Sequence, residues 1–569
     1  MLRTIVATFQ TVMGSSLSQQ SAVDTVSQWR SRPPRDLIFY AGRIEISRYF
    51  QAVDILQQSP SSRATDELLA TAMSRLKGEF DTVLRRHTDY HAGQASTTEW
   101  SSVADSTANV FRYEDYTLPE APTDYEIAYL RNIAARMSSS GRIGECVRVY
   151  MSARGSYLEA QLKKLKFKEL TTAANRNRYE WDELKVKMEL WIQLSKICIK
   201  KLFHREKHIC DQIFDGIGED NSAKDDCFVG TVNEFARDLF GFVETMSMSK
   251  HSYDKMETIL TLYSTFLSIF PDTNALFHST PGNGIRVSCA ETLSRIKSEV
   301  VGMLYEFEYE VLHEKSDVRG EGGGVDRLTE YAVEQMNFVV RNRTLLTALF
   351  NAAPSLDFGD TIIPQGSLGD VSNLTFIQQH LILILVVLQR NLKAKSETFK
   401  DPLSGPLFLM NNVHYIVRRI EASQELQEMV GAAYMNKLRG NLKSATDTYQ
   451  QMISSNFLKC FEEDELYTSR CCFRPLLSKT VFRKKLMAFN SAYEKPESLG
   501  TIPDPQLRES ICKSMCSELV PEYKKFVGRF SSDPEMALIL KEEVRYSAED
   551  FTTLILRKMF ADAEAEAVE

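Results

Sequence analysis

Histidine and cysteine pairs at helical spacing are the first residues in this sequence that could do chemistry. His204 and His208 lie four positions apart in HREKHIC, with Cys210 close by, and this spacing can hold a metal ion on one helix face. No matching second pair of ligands is apparent, and Glu206 is not placed as in the HExxH motif. The same weakness applies to two further pairs, His87 with His91 and Cys512 with Cys516. Ordinary histidines on solvated helices are the favoured interpretation, and we expect no metal or other cofactor.

The glycine-rich stretch GEGGGVD, Gly320 to Asp326, is the next candidate, because glycine loops can bind phosphate. It lacks the GxxxxGK[ST] spacing and the preceding strand of a P-loop, so we predict a loop between helices. No GxSxG nucleophile elbow occurs in the sequence. The carboxylate runs EFEYE, Glu306 to Glu310, and FEEDE, Phe461 to Glu465, are typical of solvated helix faces. We therefore predict a protein that is not an enzyme.

The composition of the 569 residues limits the possible partners. The formal net charge of -8 argues against a general nucleic-acid binder, which normally has a basic domain or stripe. Ten cysteines occur without a CxxC pair and without an apparent secretory signal, which favours a reduced, cytosolic protein. The longest apolar run, Leu381 to Leu388, has eight residues, whereas a bilayer core needs about 20. Any membrane contact is therefore expected to be peripheral.

Helical periodicity dominates the chain. Ala64 to His87 carries an apolar stripe at helical spacing, and Thr123 with Glu126 forms a capping box at the start of another helix. Strand alternation and hairpin turns are essentially missing. We predict an all-α protein, an elongated rod of stacked antiparallel helical bundles. Residues 1–90 form an N-terminal helical segment, interrupted at the prolines of WRSRPP, and residues 91–123 form a flexible linker.

The segment LFLMNNVHYIVRRI, Leu407 to Ile420, combines a continuous apolar stripe with two polar residues that need buried partners. The stripe predicts a core helix, and Asn411 and Asn412 are the polar residues. This string resembles the hallmark helix of the Exo-seventy subunit family of the exocyst, the complex that tethers secretory vesicles to the plasma membrane. Other segments follow in that family's order, including DYEIAYLRNIAARM, REKHICDQIF, GGGVDRLTEYAVEQMNFV and VPEYKKFVGRF.

The resemblance runs from Asp124 to Phe560 and is of plant type. It implies a helical rod over residues 124–560, with successive bundles at about 124–330, 331–470 and 471–560, followed by an acidic tail at 561–569. It also implies a protein without catalytic activity that works with the other exocyst subunits, Rho-type small GTPases and membranes containing phosphatidylinositol 4,5-bisphosphate. The expected location is the cytoplasm, with peripheral recruitment to the plasma membrane.

The same resemblance implies that the C-terminal bundle binds lipid through basic side chains. Residues 471–560 contain 15 Lys plus Arg against 12 Asp plus Glu, so this part is basic in an acidic chain. Glu542 and Glu543 depart from the family pattern, because they stand where the family often has Lys. The candidate lipid-binding residues are the stretch Arg483, Lys484 and Lys485, the matching Arg545, and the neighbouring Lys524, Lys525 and Lys541.

A second function remains open at this point. The family usually has a longer heptad-rich N-terminal helix that assembles with other subunits, and only about 90 residues precede the linker here. That difference, with Glu542 and Glu543, favours a specialised paralogue that acts as an interaction or adaptor protein in defence or autophagy-linked traffic, outside the full complex.

Overall fold

The computed structural model describes residues 17–89, 112–171, 181–218, 222–244, 255–315, 323–351, 374–462, 467–468, 476–494 and 501–544. These residues are almost entirely helical, which confirms the predicted all-α class. The strands within them are two residues long, Tyr467–Thr468 (β1) and Leu476–Leu477 (β2), and they pair antiparallel. The chain forms two compact units, Met1–Met303 and Leu304–Glu569. The bundle boundaries predicted at 330 and 470 stay predictions.

The first unit begins with six helices that pack against one another. They are α1 (Gln19–Ser31), α2 (Arg43–Gln58), α3 (Arg63–Asp89), α4 (Asp124–Ser139), α5 (Ile143–Lys164) and α6 (Phe167–Thr171). Further helices follow as α7 (Trp181–Ile197), a π-helical turn (Cys198–Phe203), α8 (His204–Phe214), α9 (Ala223–Glu244), α10 (Met256–Leu276) and α11 (Asn283–His313), which contains the division between the units.

Local sequence explains where these helices start and stop. The first helix ends at Ser31, and Arg32 is extended, as expected for a residue that precedes proline. The predicted capping box is present, since the Thr123 hydroxyl accepts from Glu126 N and the Glu126 carboxylate accepts from Thr123 N at 2.8 Å. On α3, the predicted apolar stripe is buried from Ala72 to Leu84.

The end of the predicted linker packs on the first unit. The backbone N–H of Tyr113 donates to Gln193 Oε1 at 2.9 Å, and Lys201 Nζ donates to the carbonyls of Tyr113 and Tyr116 at 2.7 and 2.8 Å. Arg205 donates to the carbonyl of Pro119. Residues 112–123 are therefore anchored, while residues 90–111 lie outside the described part of the chain.

The second unit continues the helical pattern. Its helices are the end of α11, then α12 (Arg327–Arg341), α13 (Arg343–Asn351), α14 (Phe376–Ser396), α15 (Ser404–Glu421), α16 (Gln424–Val430), α17 (Ala432–Phe461), α18 (Lys479–Glu494), α19 (Pro505–Phe530) and α20 (Pro534–Glu543). The apolar run of residues 381–388 lies in α14 and is almost entirely buried.

Helix α15 contains the segment Leu407 to Ile420 and packs antiparallel to α17. Arg439, near the start of α17, pairs with Glu421 at the end of α15 at 2.8 Å. At the other end, Leu407 and Met410 share a core cluster with Tyr449. Burial along the predicted stripe confirms that α15 is a core helix.

Asn412 of α15 finds buried partners for both polar atoms of its amide, and Asn411 finds them for its nitrogen. Asn412 Oδ1 accepts from Asp326 N at 2.8 Å and from Thr329 Oγ1 at 2.7 Å. Asn411 Nδ2 donates to the carbonyl of Gly323 at 2.8 Å. Gly323 has a φ of +82°, and a Cβ there would lie 2.9 Å from Leu407 Cδ2. The described end of the glycine-rich stretch is thus a close-packed inter-helix loop.

Candidate functional site

Helices α18, α19 and α20 carry the described candidate lipid-binding residues and share one apolar core. Phe482 of α18 lies with its ring centroid 4.9 Å from that of Phe530 and 5.6 Å from that of Phe526, both on α19. Leu540 of α20 completes the contact from the third helix. These three helices, called the C-terminal bundle from here on, therefore present their outward-facing side chains from one shared core. Arg545 lies outside the described residues.

Arg483 is held between two carboxylates of α20. Its Nε lies 2.7 Å from Glu543 Oε1, and its Nη2 also pairs with Glu542. Hydrogen bonding to Glu543, with the charge of Glu542, raises the pKa of Arg483. The two residues at which this sequence departs from the family pattern thus neutralise the first cation of the Arg483 to Lys485 stretch.

Other cations of the C-terminal bundle are also engaged. Lys485 Nζ donates to the carbonyl of Glu462 at 2.5 Å. Lys525 lies 3.5 Å from Glu522 of its own helix, in a solvent-exposed pair. Lys479, which is not among the candidates predicted from the sequence, pairs with Glu535 at 2.8 Å. The two carboxylates pair with the charges of Lys525 and Lys479, whereas the backbone hydrogen bond holds Lys485 in place without neutralising it.

Three of the candidate cations remain available to a ligand. Lys484, Lys524 and Lys541 are exposed, and none of them forms an ion pair with a residue that the structure describes. They lie on α18, α19 and α20, one on each helix. Because Glu522, Glu535, Glu542 and Glu543 are all paired with other cations, these three lysines supply net positive charge to the C-terminal bundle.

The cation pairing could not be found by spacing along one helix. Arg483 is 59 positions from Glu542 and 60 from Glu543, so the contacts depend on how α18 packs against α20. In the sequence, the only indication was that Glu542 and Glu543 stand where the family often has Lys. That position predicted weaker lipid binding. It did not indicate which cation would be neutralised.

The candidate metal ligands are not brought together. His204 and His208 are exposed, whereas Cys210 is fully buried, so the three do not share a face. His204 Nε2 lies 3.7 Å from Asp272 instead. Among the residues that the structure describes, no group of three His, Cys, Asp or Glu side chains could hold a metal ion. The His87 side chain and His91 lie outside the described part.

The two thiols of the cysteine pair on α19, Cys512 and Cys516, are shifted towards the protonated form. Burial raises the pKa of the Cys512 thiol to about 11, so it stays protonated, and burial also raises the pKa of Cys516.

The prediction that EFEYE is a solvated face is wrong for Glu308, which is 2% exposed and lies 2.5 Å from His380 Nδ1. A hydrogen-bonding partner on α14 makes this burial possible. In FEEDE, residues 463–465 lie outside the described part.

No helix in the described part of the chain combines the length and the apolar character needed to cross a membrane.

Comparison with known proteins identifies what the chain resembles as a whole. Residues 189–557 match the family described as the C-terminal part of the Exo70 component of the exocyst complex. Exocyst complex component EXO70A1 of Arabidopsis thaliana is 26% identical over an alignment of 557 residues that covers 92% of this chain and 83% of that protein. Exocyst complex component EXO70B1 of the same plant is 24% identical over 516 residues, covering 86% and 78%.

The fold is also known from a solved structure. The crystal structure of the S. cerevisiae exocyst component Exo70p superposes with a TM-score of 0.58 at 12% sequence identity, covering 95% of this chain and 100% of that one. At this identity the match concerns the fold alone, and it confirms the prediction of stacked helical bundles.

Proposed function

The chain belongs to the Exo70 family of exocyst subunits, and we propose that it tethers secretory vesicles to the plasma membrane without catalysing a reaction. The C-terminal bundle contacts the anionic inner leaflet, including phosphatidylinositol 4,5-bisphosphate. The observation that carries this proposal is the set of three exposed lysines, Lys484, Lys524 and Lys541, that form no ion pair with a described residue. The protein is cytoplasmic, is recruited peripherally, and works with the other exocyst subunits and with Rho-type small GTPases. Similarity to proteins named exocyst complex components supports the subunit partners.

The electrostatics support weak, reversible docking. A basic side chain beside an anionic leaflet contributes about 1 kcal/mol, so three lysines contribute roughly 3 kcal/mol, or about 100-fold in affinity. That is enough to prefer an anionic surface over a neutral one but not to hold the protein there alone. Assembly with the other subunits then supplies the remaining affinity through multivalency.

One observation favours the adaptor role outside the complex as a second candidate. Glu542 and Glu543 form ion pairs with Arg483, and this reduces the positive charge that the C-terminal bundle can offer to lipid. A bundle with little free charge suits protein contacts better than membrane contacts. The balance between the two candidates therefore depends on the three lysines.

Vesicle co-sedimentation of the full chain tests the proposal. The variant Lys484→Gln/Lys524→Gln/Lys541→Gln should bind vesicles of phosphatidylcholine with about 5% phosphatidylinositol 4,5-bisphosphate about 100-fold more weakly than the parent chain. The matched control Lys163→Gln/Lys164→Gln/Lys185→Gln removes three lysines of the first unit and should bind normally.

Two results would decide against the proposal. Equal binding of the triple variant and the parent at about 0.15 M salt would show that these lysines do not contact lipid. If affinity capture of the parent chain recovers no other exocyst subunit, the tethering role fails and the adaptor role is favoured.

A further inference from the structure

Two exposed apolar side chains stand in the C-terminal bundle. Leu538 of α20 is 63% exposed and Met487 of α18 is 55% exposed, although the apolar residues next to them, such as Ile539 and Leu486, are buried in the shared core. Single exposed apolar residues are normal on protein surfaces. These two differ from such residues because each lies within one helical turn of an ion pair between α18 and α20 and of an available lysine.

Both side chains neighbour residues that join α18 to α20 and so define the line between these two helices. Leu538 is three residues after Glu535 and four before Glu542, so the three share one helix face. Glu535 and Glu542 both pair with cations of α18. Along α20, Leu538 therefore lies between two residues that form ion pairs with α18.

Met487 approaches the same line from the other helix. It follows Arg483 by four residues on α18, and Arg483 pairs with Glu542 and Glu543. One turn further along, Asn490 Nδ2 donates to the carbonyl of Glu543 at 2.8 Å. Met487 thus stands between two contacts to the end of α20, on the other side of the Arg483 ion pairs from Leu538.

Each of the two apolar side chains has an available lysine one helical turn away. Lys541 follows Leu538 by three residues, and Lys484 precedes Met487 by three. Neither lysine forms an ion pair with any residue in the described ranges. Apolar side chains next to such cations are the combination that favours the boundary between headgroups and acyl chains of an anionic bilayer.

We propose that Leu538 and Met487 enter the acyl-chain boundary of an anionic membrane when the C-terminal bundle docks. This inference rests on the proposed function and extends it, because docking then has an apolar part that salt does not screen. The neighbouring lysines hold the leaflet against the line between α18 and α20, and the two apolar side chains leave water. Removing them should weaken vesicle binding about tenfold, since each buries part of its apolar surface.

The experiment measures binding of the full chain to vesicles of phosphatidylcholine with about 30% phosphatidylserine at about 0.1 M and about 0.5 M salt. The variant Met487→Ser/Leu538→Ser should bind about tenfold more weakly at both concentrations. The triple lysine variant should bind much more weakly than the parent chain at about 0.1 M salt. At about 0.5 M salt, where the lysine charges are screened, the variant and the parent should bind nearly equally. The control Ile44→Ser/Val287→Ser removes two exposed apolar side chains of the first unit and should bind normally.

A fluorescence measurement gives a second readout. The variant Leu538→Trp should show blue-shifted emission on vesicles and quenching by lipids brominated near the headgroup. Normal vesicle binding by the double serine variant, without quenching of Leu538→Trp, would overturn the apolar part and leave lysine-based docking intact. If the double serine variant binds vesicles normally but no longer captures an exocyst subunit that the parent chain captures, the two side chains contact a protein partner instead. Failure of the parent chain to bind any anionic vesicle would refute the proposed function itself.

Discussion

The ion pairs of Arg483 allow a prediction of increased membrane binding. The double substitution Glu542→Gln/Glu543→Gln keeps the size and shape of both side chains but removes the two negative charges that hold Arg483. The guanidinium then becomes available to a lipid headgroup. The C-terminal bundle should remain folded, because its core consists of the apolar residues that α18, α19 and α20 share.

The size of the effect follows from the charge change. One unit charge beside an anionic leaflet is worth about 1 kcal/mol, or roughly fivefold in the binding constant. Removing two negative charges should therefore raise affinity about 5-fold if one of them lies within reach of the leaflet, and about 30-fold if both do. The Debye length of about 8 Å at physiological salt sets that reach.

Co-sedimentation with vesicles of phosphatidylcholine and about 30% phosphatidylserine measures the effect at about 0.1 M and about 0.5 M salt. The control Glu67→Gln/Glu159→Gln makes the same total charge change at two exposed ion pairs of the first unit, with Arg63 and Lys168. It should leave binding nearly unchanged. The increase for the double variant at Glu542 and Glu543 should shrink at the higher salt concentration. Unchanged binding, or an equal increase in the control, would refute the reasoning.

Two further predictions concern α15. Asn412→Leu leaves the buried Asp326 N–H and Thr329 hydroxyl without their acceptor. The free energy of unfolding of the second unit, measured in urea, should therefore fall by about 3–5 kcal/mol. The control Asn441→Leu, at an exposed position, should change that free energy by less than about 0.5 kcal/mol. Equal losses in both variants would contradict this. Burial lowers the pKa of His414 in the folded chain below 6.5. The unfolded chain therefore binds a proton at His414 more readily than the folded chain does. The protein should lose stability as the pH falls below 6.5. The variant His414→Asn should show a flatter decline of the melting temperature between about pH 7.5 and about pH 5.5, and an identical decline would exclude the effect.

Local sequence determined most of the helical framework. Apolar periodicity predicted the buried stripes of α3 and α15, and a threonine with a glutamate three residues later predicted the start of α4. The prolines after Ser31 predicted the end of α1. These features depend on neighbours within one or two helical turns, so a sequence can specify them without knowledge of the rest of the fold. The need of Asn411 and Asn412 for partners was equally visible.

Only the tertiary structure decided which charges are available and which are buried. Arg483 and Lys484 are adjacent cations in the sequence, yet α20 neutralises the first and leaves the second exposed. Glu308 lies in a run typical of a solvated face but is buried because His380 comes from another helix. Desolvation and ion pairing depend on contacts between residues far apart in the chain, and these form only when the helices pack. The sequence thus determined the family, the helices and the set of candidate cations, while packing selected the three lysines that remain available to a membrane.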